Sequence, residues 1–292
     1  MKRVLVTGSG GFTARYAIPA LDAAGFEVWR LCHRTASGPR VLVADITDLG
    51  AIKDVVERVQ PSHVLHLAGT PSLPDSEADT LYTVNVTGTN NLLSACVDVN
   101  VRPEKIVIAS SGYVYGDTGR DPATEERNTI PIGEYGKSKL EMERAAKGFS
   151  GQLPVLITRP FNYTGAAHES RFIISKLVTA YRDHAEDVSF ADLSVVRDFS
   201  DVRWVAHTYV RLLLSPDNPG VVNVCAGKGW LLREILDLLE RITGHRPDRG
   251  DPVCGRVVAS PIRTLVGSNN RLKASGIALS PYSLEETLRS ML

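Results

Sequence analysis

The sequence contains no apolar run of about 18 residues, the length needed to cross the hydrocarbon of a bilayer, so no membrane-spanning helix is expected. It carries no excess charge of either sign. Its 33 Lys and Arg stand against 33 Asp and Glu, a net of +0, which leaves no bulk field to collect nucleic acid or an anionic membrane. Neither is expected as a partner. Cysteine is scarce: Cys32, Cys96, Cys225 and Cys254 show no CxxC spacing, which speaks against a disulfide framework and against a thiolate metal cluster. No metal is expected. There is no internal repeat, low-complexity tract or polybasic run. Met1-Lys2-Arg3 leads straight into Val4-Leu5-Val6-Thr7-Gly8 without the apolar core of a secretion signal, so the expected setting is cytoplasmic.

What is present is an alternation of short apolar runs and longer amphipathic ones. Arg3–Thr7, Glu27–Leu31, Val41–Val43, His63–Leu67, Lys105–Ala109 and Pro154–Thr158 read as strands, apolar on both faces and separated by enough chain for a crossover helix. That pattern predicts an α/β fold with a doubly wound, Rossmann-type parallel sheet. From about Asp79 to Val99, the residues Leu81, Val84, Gly88, Leu92, Ala95 and Cys96 recur at three- and four-residue steps, one stripe of a helix in which Gly88 permits close approach. After about residue 160 the chain turns to loops and short helices, the mark of a smaller second unit. Leu232, Ile235, Leu236, Leu239 and Ile242 form a stripe ending at Gly244, and Ser283-Leu284-Glu285-Glu286 has capping-box spacing.

Gly8-Ser9-Gly10-Gly11-Phe12-Thr13-Ala14 follows the first strand and opens a helical pattern. In that context the glycine turn lets backbone N–H groups at a helix N-terminus meet a diphosphate, and Gly8, Gly10, Gly11, Phe12 and Thr13 become cofactor contacts. Dinucleotide binding is predicted. Where the second strand ends, an NAD-selective protein places an acid for the ribose 2′-hydroxyl. Here stand Cys32-His33-Arg34, and His33 with Arg34 suits a 2′-phosphate, so NADP(H) is expected ahead of NAD(H). Arg34 could equally be a solvated loop residue. Asp45, with Ile46 beside it, reads either as an adenine contact or as part of the N-cap region of the next helix.

Tyr135-Gly136-Lys137-Ser138-Lys139 puts a phenol and an ammonium on one helix face. A phenol of ordinary pKa about 10 needs a nearby cation to act as acid and base at neutral pH, which Lys139 supplies. Ser110-Ser111-Gly112-Tyr113 ends the fifth strand at the carboxyl edge of the sheet, where ligands of such sheets bind, and a serine hydroxyl there can hold a substrate carbonyl. Alone, each residue would be read as solvated or as a cap. Together with the glycine turn, in this order, they describe an active site.

These residues resemble the extended short-chain dehydrogenase/reductases of nucleotide-sugar metabolism over nearly the whole chain. Besides the glycine turn, His66-Leu67-Ala68-Gly69 resembles the family's fourth strand end and Asn85-Val86-Thr87-Gly88-Thr89-Asn90 its next helix. The resemblance implies that Tyr135 donates the proton, that Lys139 lowers its pKa and holds the nicotinamide ribose, and that Ser111 binds the reacting oxygen. Leu67, Ala68, Gly69 and Pro160 join the implied cofactor contacts, and Gly112 and Tyr113 the substrate contacts. A finer resemblance is to the members that reduce GDP-4-keto-6-deoxy-D-mannose: Arg159-Pro160-Phe161-Asn162-Tyr163-Thr164-Gly165 and Arg197-Asp198-Phe199-Ser200-Asp201-Val202 match segments of that group, as do Val222–Gly227 and Val266–Leu272. It implies Asn162, Lys176, Arg197 and Arg256 as contacts of the GDP moiety. It also implies a cofactor-binding part at 1–160 plus about 193–222, and a sugar-binding part at about 161–192 and 223–292. Three departures stand out. The usual R-P/R-x-E stretch near the end is Val258-Ala259-Ser260-Pro261. The usual G-P-G-Q is Gly165-Ala166-Ala167-His168, and Tyr163 replaces a common histidine.

Dehydratases of this superfamily resemble one another in an acidic residue just after the catalytic Ser/Thr, and here that stretch is Gly112-Tyr113. Reduction of a 4-keto-6-deoxyhexose nucleotide is therefore the expected reaction, giving GDP-D-rhamnose or GDP-6-deoxy-D-talose. A nucleotide-sugar 4-epimerase is the alternative within the family, and an NADP-sensing regulator the alternative outside enzymology. A homodimer is expected through the helices at Asp79–Val99 and Glu134–Gly148.

Overall fold

The computed structural model describes residues 2–34, 37–71, 77–186, 192–248 and 260–292. Arg256 and Cys254 lie outside the described residues. In chain order the elements are β1 (Arg3–Thr7), α1 (Phe12–Ala23), β2 (Glu27–Cys32), β3 (Val41–Val43), α2 (Leu49–Val59), β4 (His63–His66), α3 (Ala78–Tyr82), α4 (Gly88–Asp98), β5 (Lys105–Ala109), α5 (Glu134–Lys147), β6 (Val155–Pro160), β7 (Asn162–Thr164), α6 (Ile173–Arg182), β8 (Val196–Asp201), α7 (Val202–Leu214), β9 (Val221–Val224), β10 (Gly229–Leu231), α8 (Leu232–Thr243), β11 (Thr264–Leu265), α9 (Asn270–Ala274) and α10 (Leu284–Arg289).

Seven strands form one parallel sheet in the order β3-β2-β1-β4-β5-β6-β9. Order reverses beside β1. β1 lies between β2 and β4, so the chain winds outward in both directions from it, and a crevice opens at the carboxyl ends of the central strands. Alternate residues of each central strand feed opposite cores, as the two-residue period of a strand demands. Val4, Val6, Leu65, Val107 and Leu156 pack on α1 and α7, whereas Leu5, Val64, Ile106, Ile108 and Ile157 pack on α2, α4 and α5. The expected apolarity of both faces holds for β1, β4, β5 and β6. It does not hold for β2 and β3, whose Arg30 and Val43 are exposed, because β3 is the sheet edge and β2 its neighbour.

The helix expected from Asp79 to Val99 is present, but interrupted. Thr83–Thr87 forms a π-helical segment between α3 and α4. Gly88 sits where a Cβ would come within 2.7 Å of the Ile46 side chain, so the expected close approach is real and Ile46 is a core residue packed against it. A smaller sheet joins β10, β8 and β11, with β7 paired to β8 in parallel. Its core is built from α6, α8 and α10. Gly244 ends α8 in the left-handed conformation, and Ser283 with Glu286 closes the capping box of α10, both as the sequence predicts.

Candidate active site

One cleft of about 610 Å³ runs from the glycine turn across the ends of β4, β5 and β6 to the smaller sheet. Its walls include Gly8, Gly11, Phe12 and Thr13 at one end, Ser111, Tyr135 and Lys139 in the middle, and Asn162, Arg197, Phe199 and Ile262 beyond. That size suits a compact ligand pocket, about 300–1,000 Å³. Segments far apart in sequence therefore meet along a single surface.

The glycine turn fits a dinucleotide. Gly8 has φ +65°, and a Cβ on it would lie 2.7 Å from the backbone nitrogen of Ala68, so only glycine lets β1 and β4 deliver the turn this closely. Gly11 is the N-cap of α1 and offers no side-chain cap, which leaves the first N–H groups of the helix free for an anion. Gly10 is exposed beside them. Leu67, Gly69 and Pro160 line the same cleft, while Ala68 contributes its N–H to Thr7 Oγ1 at 3.1 Å.

A directed chain of hydrogen bonds fixes this edge. The Thr89 hydroxyl donates to the carbonyl of Asn85 at 2.6 Å, so it accepts from His66 Nε2 at 2.8 Å, and Nδ1 in turn accepts from Thr7 at 2.7 Å. The His66 ring is neutral, because burial lowers its pKa to about 3. Asn85, inside the π segment, accepts from the Thr70 N–H at 2.9 Å and donates to Ser138 Oγ at 3.0 Å. The π turn thus ties the β4 loop to α5, the helix that carries Tyr135 and Lys139. Sequence alone places His66 and Asn85 only in motifs, since neither partner is visible without the fold.

At the centre, Tyr135 is half-buried, stacks edge-on against Tyr113 at 5.9 Å, and is hydrogen-bonded by Ser111. Burial raises its pKa well above the phenol value, with the Ser111 bond acting against that rise. The phenol is therefore protonated at neutral pH, the form a proton donor needs. Lys139 is buried, donates to the Ala109 carbonyl at 3.0 Å, and has its pKa lowered to about 8 by desolvation, with Glu143 opposing. The lysine is thus aimed at β5, and the expected lowering of the phenol pKa by Lys139 is not among the influences acting on Tyr135 here. Below them, Glu143 receives Arg159 through Nε at 2.9 Å and Nη2 at 2.6 Å, and Ser110 at 2.7 Å. Spacing four residues beyond Lys139 is the one signal in the sequence for Glu143.

The other expected contacts divide. Tyr113 and Asn162 line the cleft, and Asn162 Nδ2 is buried without a hydrogen-bond partner, a donor available to a ligand. Gly112 is buried beneath the Phe161 ring. Arg197 lines the cleft, but its guanidinium donates to the carbonyls of Val196 at 2.9 Å and Ile262 at 2.8 Å, so it holds β8 to the 260–263 segment. Lys176 is exposed on α6 and does not line the cleft. His33 and Arg34 are exposed just past β2, with His33 Nε2 3.8 Å from Asp45 Oδ2. Asp45 also accepts from Thr47, whereas the N-cap of α2 is Asp48. No group of three or more metal-ligating side chains occurs among the described residues, and no helix among them is long and apolar enough to cross a membrane.

The chain is 30% identical, over 100% of its length and 96% of the relative's, to the GDP-6-deoxy-D-mannose reductase of Pseudomonas aeruginosa. It is 28% identical to the GDP-6-deoxy-D-talose 4-dehydrogenase of Aggregatibacter actinomycetemcomitans, over 84% of this chain and 81% of that one. Its structure superposes on RMD from Pseudomonas aeruginosa complexed with NADPH with a TM-score of 0.86 at 28% identity, covering 99% and 97% of the two chains. It superposes on the Thermus thermophilus UDP-glucose 4-epimerase complex with NAD with a TM-score of 0.83 at 26% identity, again covering 99% and 97%. Residues 4–225 match the profile of the NAD dependent epimerase/dehydratase family. The chain belongs to that family and is an extended short-chain dehydrogenase/reductase, a nicotinamide-dinucleotide enzyme that modifies nucleotide sugars.

Proposed function

We propose that this protein reduces the 4-keto group of a GDP-linked 4-keto-6-deoxyhexose with NADPH, yielding GDP-D-rhamnose or its C4 epimer. The observation that carries the reading is the single cleft that joins the glycine turn, the Ser111–Tyr135–Lys139 centre and the Asn162 and Arg197 segments. The dinucleotide, when bound on Gly8–Thr13, supplies the hydride. Tyr135, which burial holds in the protonated form, gives its hydroxyl proton to the C4 oxygen. Ser111 positions the carbonyl oxygen through a hydroxyl that already reaches Tyr135. The Ser111 oxygen accepts from the Tyr113 N–H at 3.2 Å, which fixes the hydroxyl at the strand end. Lys139, which donates to the Ala109 carbonyl and lines the same cleft, holds the nicotinamide ribose.

For the nucleotide, the two GDP-sugar relatives support guanine, and Asn162 Nδ2 is a donor awaiting an acceptor. For the cofactor, the exposed Arg34 just past β2 supplies a guanidinium suited to a 2′-phosphate, with His33 beside it, and the NADPH complex of RMD supports the same choice. A 4-epimerase is the second reading, favoured by the NAD-bound epimerase of the same fold. The decisive experiment supplies GDP-4-keto-6-deoxy-D-mannose with NADPH or NADH, follows dinucleotide oxidation, and reads the product's C4 configuration by NMR. NADPH-selective turnover is expected. Interconversion of UDP-glucose and UDP-galactose without net dinucleotide oxidation would replace this reading with the epimerase, and dinucleotide binding without turnover of any keto sugar would replace it with a sensor.

A further inference from the structure

Two of the departures from the family pattern, Tyr163 and His168, meet at one place. His168 stacks on Phe12, the first residue of α1, with ring centroids 4.2 Å apart and planes 13° from parallel. It also stacks on Phe172, at 4.3 Å and 20°. Tyr163 lies parallel to Phe12 at 6.2 Å, and its hydroxyl meets Thr13 Oγ1 at 2.8 Å. One turn further along α1, Tyr16 donates to the Ala166 carbonyl at 2.6 Å. These contacts bind the first turns of α1 to β7 and to the loop between β7 and α6, and the two sides line the same cleft.

We propose that this aromatic clasp retains the dinucleotide. The diphosphate-binding turn and the loop line one pocket and meet at these rings, so a ligand seated on Gly8–Thr13 is released more readily when they part. Parting them separates the His168 ring from Phe12 and breaks the Tyr163–Thr13 hydrogen bond, while Phe172 holds His168 in its stacked position. Phe12, Tyr163, His168 and Phe172 are positioning residues, acting on dissociation of the cofactor and not on hydride or proton transfer. His168 stacks as a neutral ring, since burial pushes its pKa down to about 4. The inference rests on the dinucleotide part of the proposed function and holds for reductase and epimerase alike.

The test is the dissociation rate of NADPH from the intact protein, followed by loss of its fluorescence on mixing with excess NADP⁺. His168→Ala is expected to speed release about tenfold, Phe172→Ala several-fold, and His168→Phe, which restores a flat ring, less than about threefold. A His168→Ala rate within twofold of the parent overturns the clasp, as does a His168→Phe rate equal to that of His168→Ala. Should His168→Ala fail to fold, Phe172→Ala is held to the same twofold limit against the parent. Absence of NADPH and NADH binding to the parent would overturn the cofactor reading and the clasp together, whereas binding with unchanged release overturns the clasp alone.

Discussion

Arg159 and Glu143 face each other through two hydrogen bonds, 2.9 and 2.6 Å long, with both side chains out of water beneath the active site. The remaining Arg159 donor Nη1 goes to Tyr115 at 2.9 Å, and Tyr115 donates to Asn223 at 2.8 Å, so the pair anchors β6 to α5 and to β9. Removing one partner strands a charge. Glu143→Ala is expected to destabilise the protein by about 3–5 kcal/mol, and Glu143→Leu combined with Arg159→Met to recover a large part of that loss. Urea unfolding of Glu143→Ala, of Glu143→Leu and Arg159→Met singly and of the double variant checks it, and an additive double variant would contradict it.

Tyr135→Phe deletes the hydroxyl and keeps the ring against Tyr113. Turnover should fall by about 10²–10⁴, the usual worth of a positioned acid, with the NADPH dissociation constant within about twofold of the parent. Steady-state kinetics and fluorescence titration read the two separately, and equal losses in both would mean that the substitution disturbs the whole pocket.

His66 should not titrate between pH 5 and 8, because burial holds its pKa at about 3. The folded-state value lies below the ordinary 6.5, so the unfolded chain binds the extra proton first. The stability that this neutral ring contributes is complete above about pH 6.5 and is lost as pH falls toward 3. Imidazole NMR shifts followed from about pH 8 to 5 should stay flat for His66, and His66→Gln should unfold less steeply with acid than the parent.

Lys139 works in the other direction on the pH scale. Its folded-state pKa of about 8 lies below the ordinary 10.5, so the burial penalty on the charged amine is present in full below pH 8 and is relieved between pH 8 and 10.5. Relative to Lys139→Met, the parent should therefore gain stability from about pH 7 to 9.5. Denaturant titrations at the two values test the sign.

Arg34→Asp is expected to reverse the preferred dinucleotide, weakening NADPH by at least about tenfold while leaving NADH unchanged or tighter. The readout is the ratio of the two dissociation constants. An unaltered ratio would return Arg34 to the role of a solvated loop residue.

Six of the seven strands of the central sheet, and the pairing of Tyr135 with Lys139, are legible in the sequence because they obey local rules, whereas β9 is not among the predicted strands. Strand runs such as Arg3–Thr7 and Lys105–Ala109 match the observed strands, and Tyr135 with Lys139 needs only helical spacing to share a face. What escapes depends on distant partners. Arg197 reads as a free cation in sequence, yet carbonyls from 196 and 262 take its donors, and nothing in the R-D-F segment announces that residues 260–263 will arrive there. The π segment at Thr83–Thr87 is likewise hidden, since its extra residue leaves the apolar stripe nearly in phase while Asn85 serves Thr70 and Ser138.

The contacts between Thr13 and Tyr163 and between Tyr16 and Ala166 each span 150 residues of chain. The loop that faces the glycine turn is made only after the turn itself and after β1 to β6, all of the main sheet except β9. The two sides of the cleft are thus made far apart in time, the glycine turn well before the loop that faces it. A nascent first half cannot be held together through that contact, so cofactor added during translation should protect the full-length chain from protease far better than a chain arrested before Tyr163.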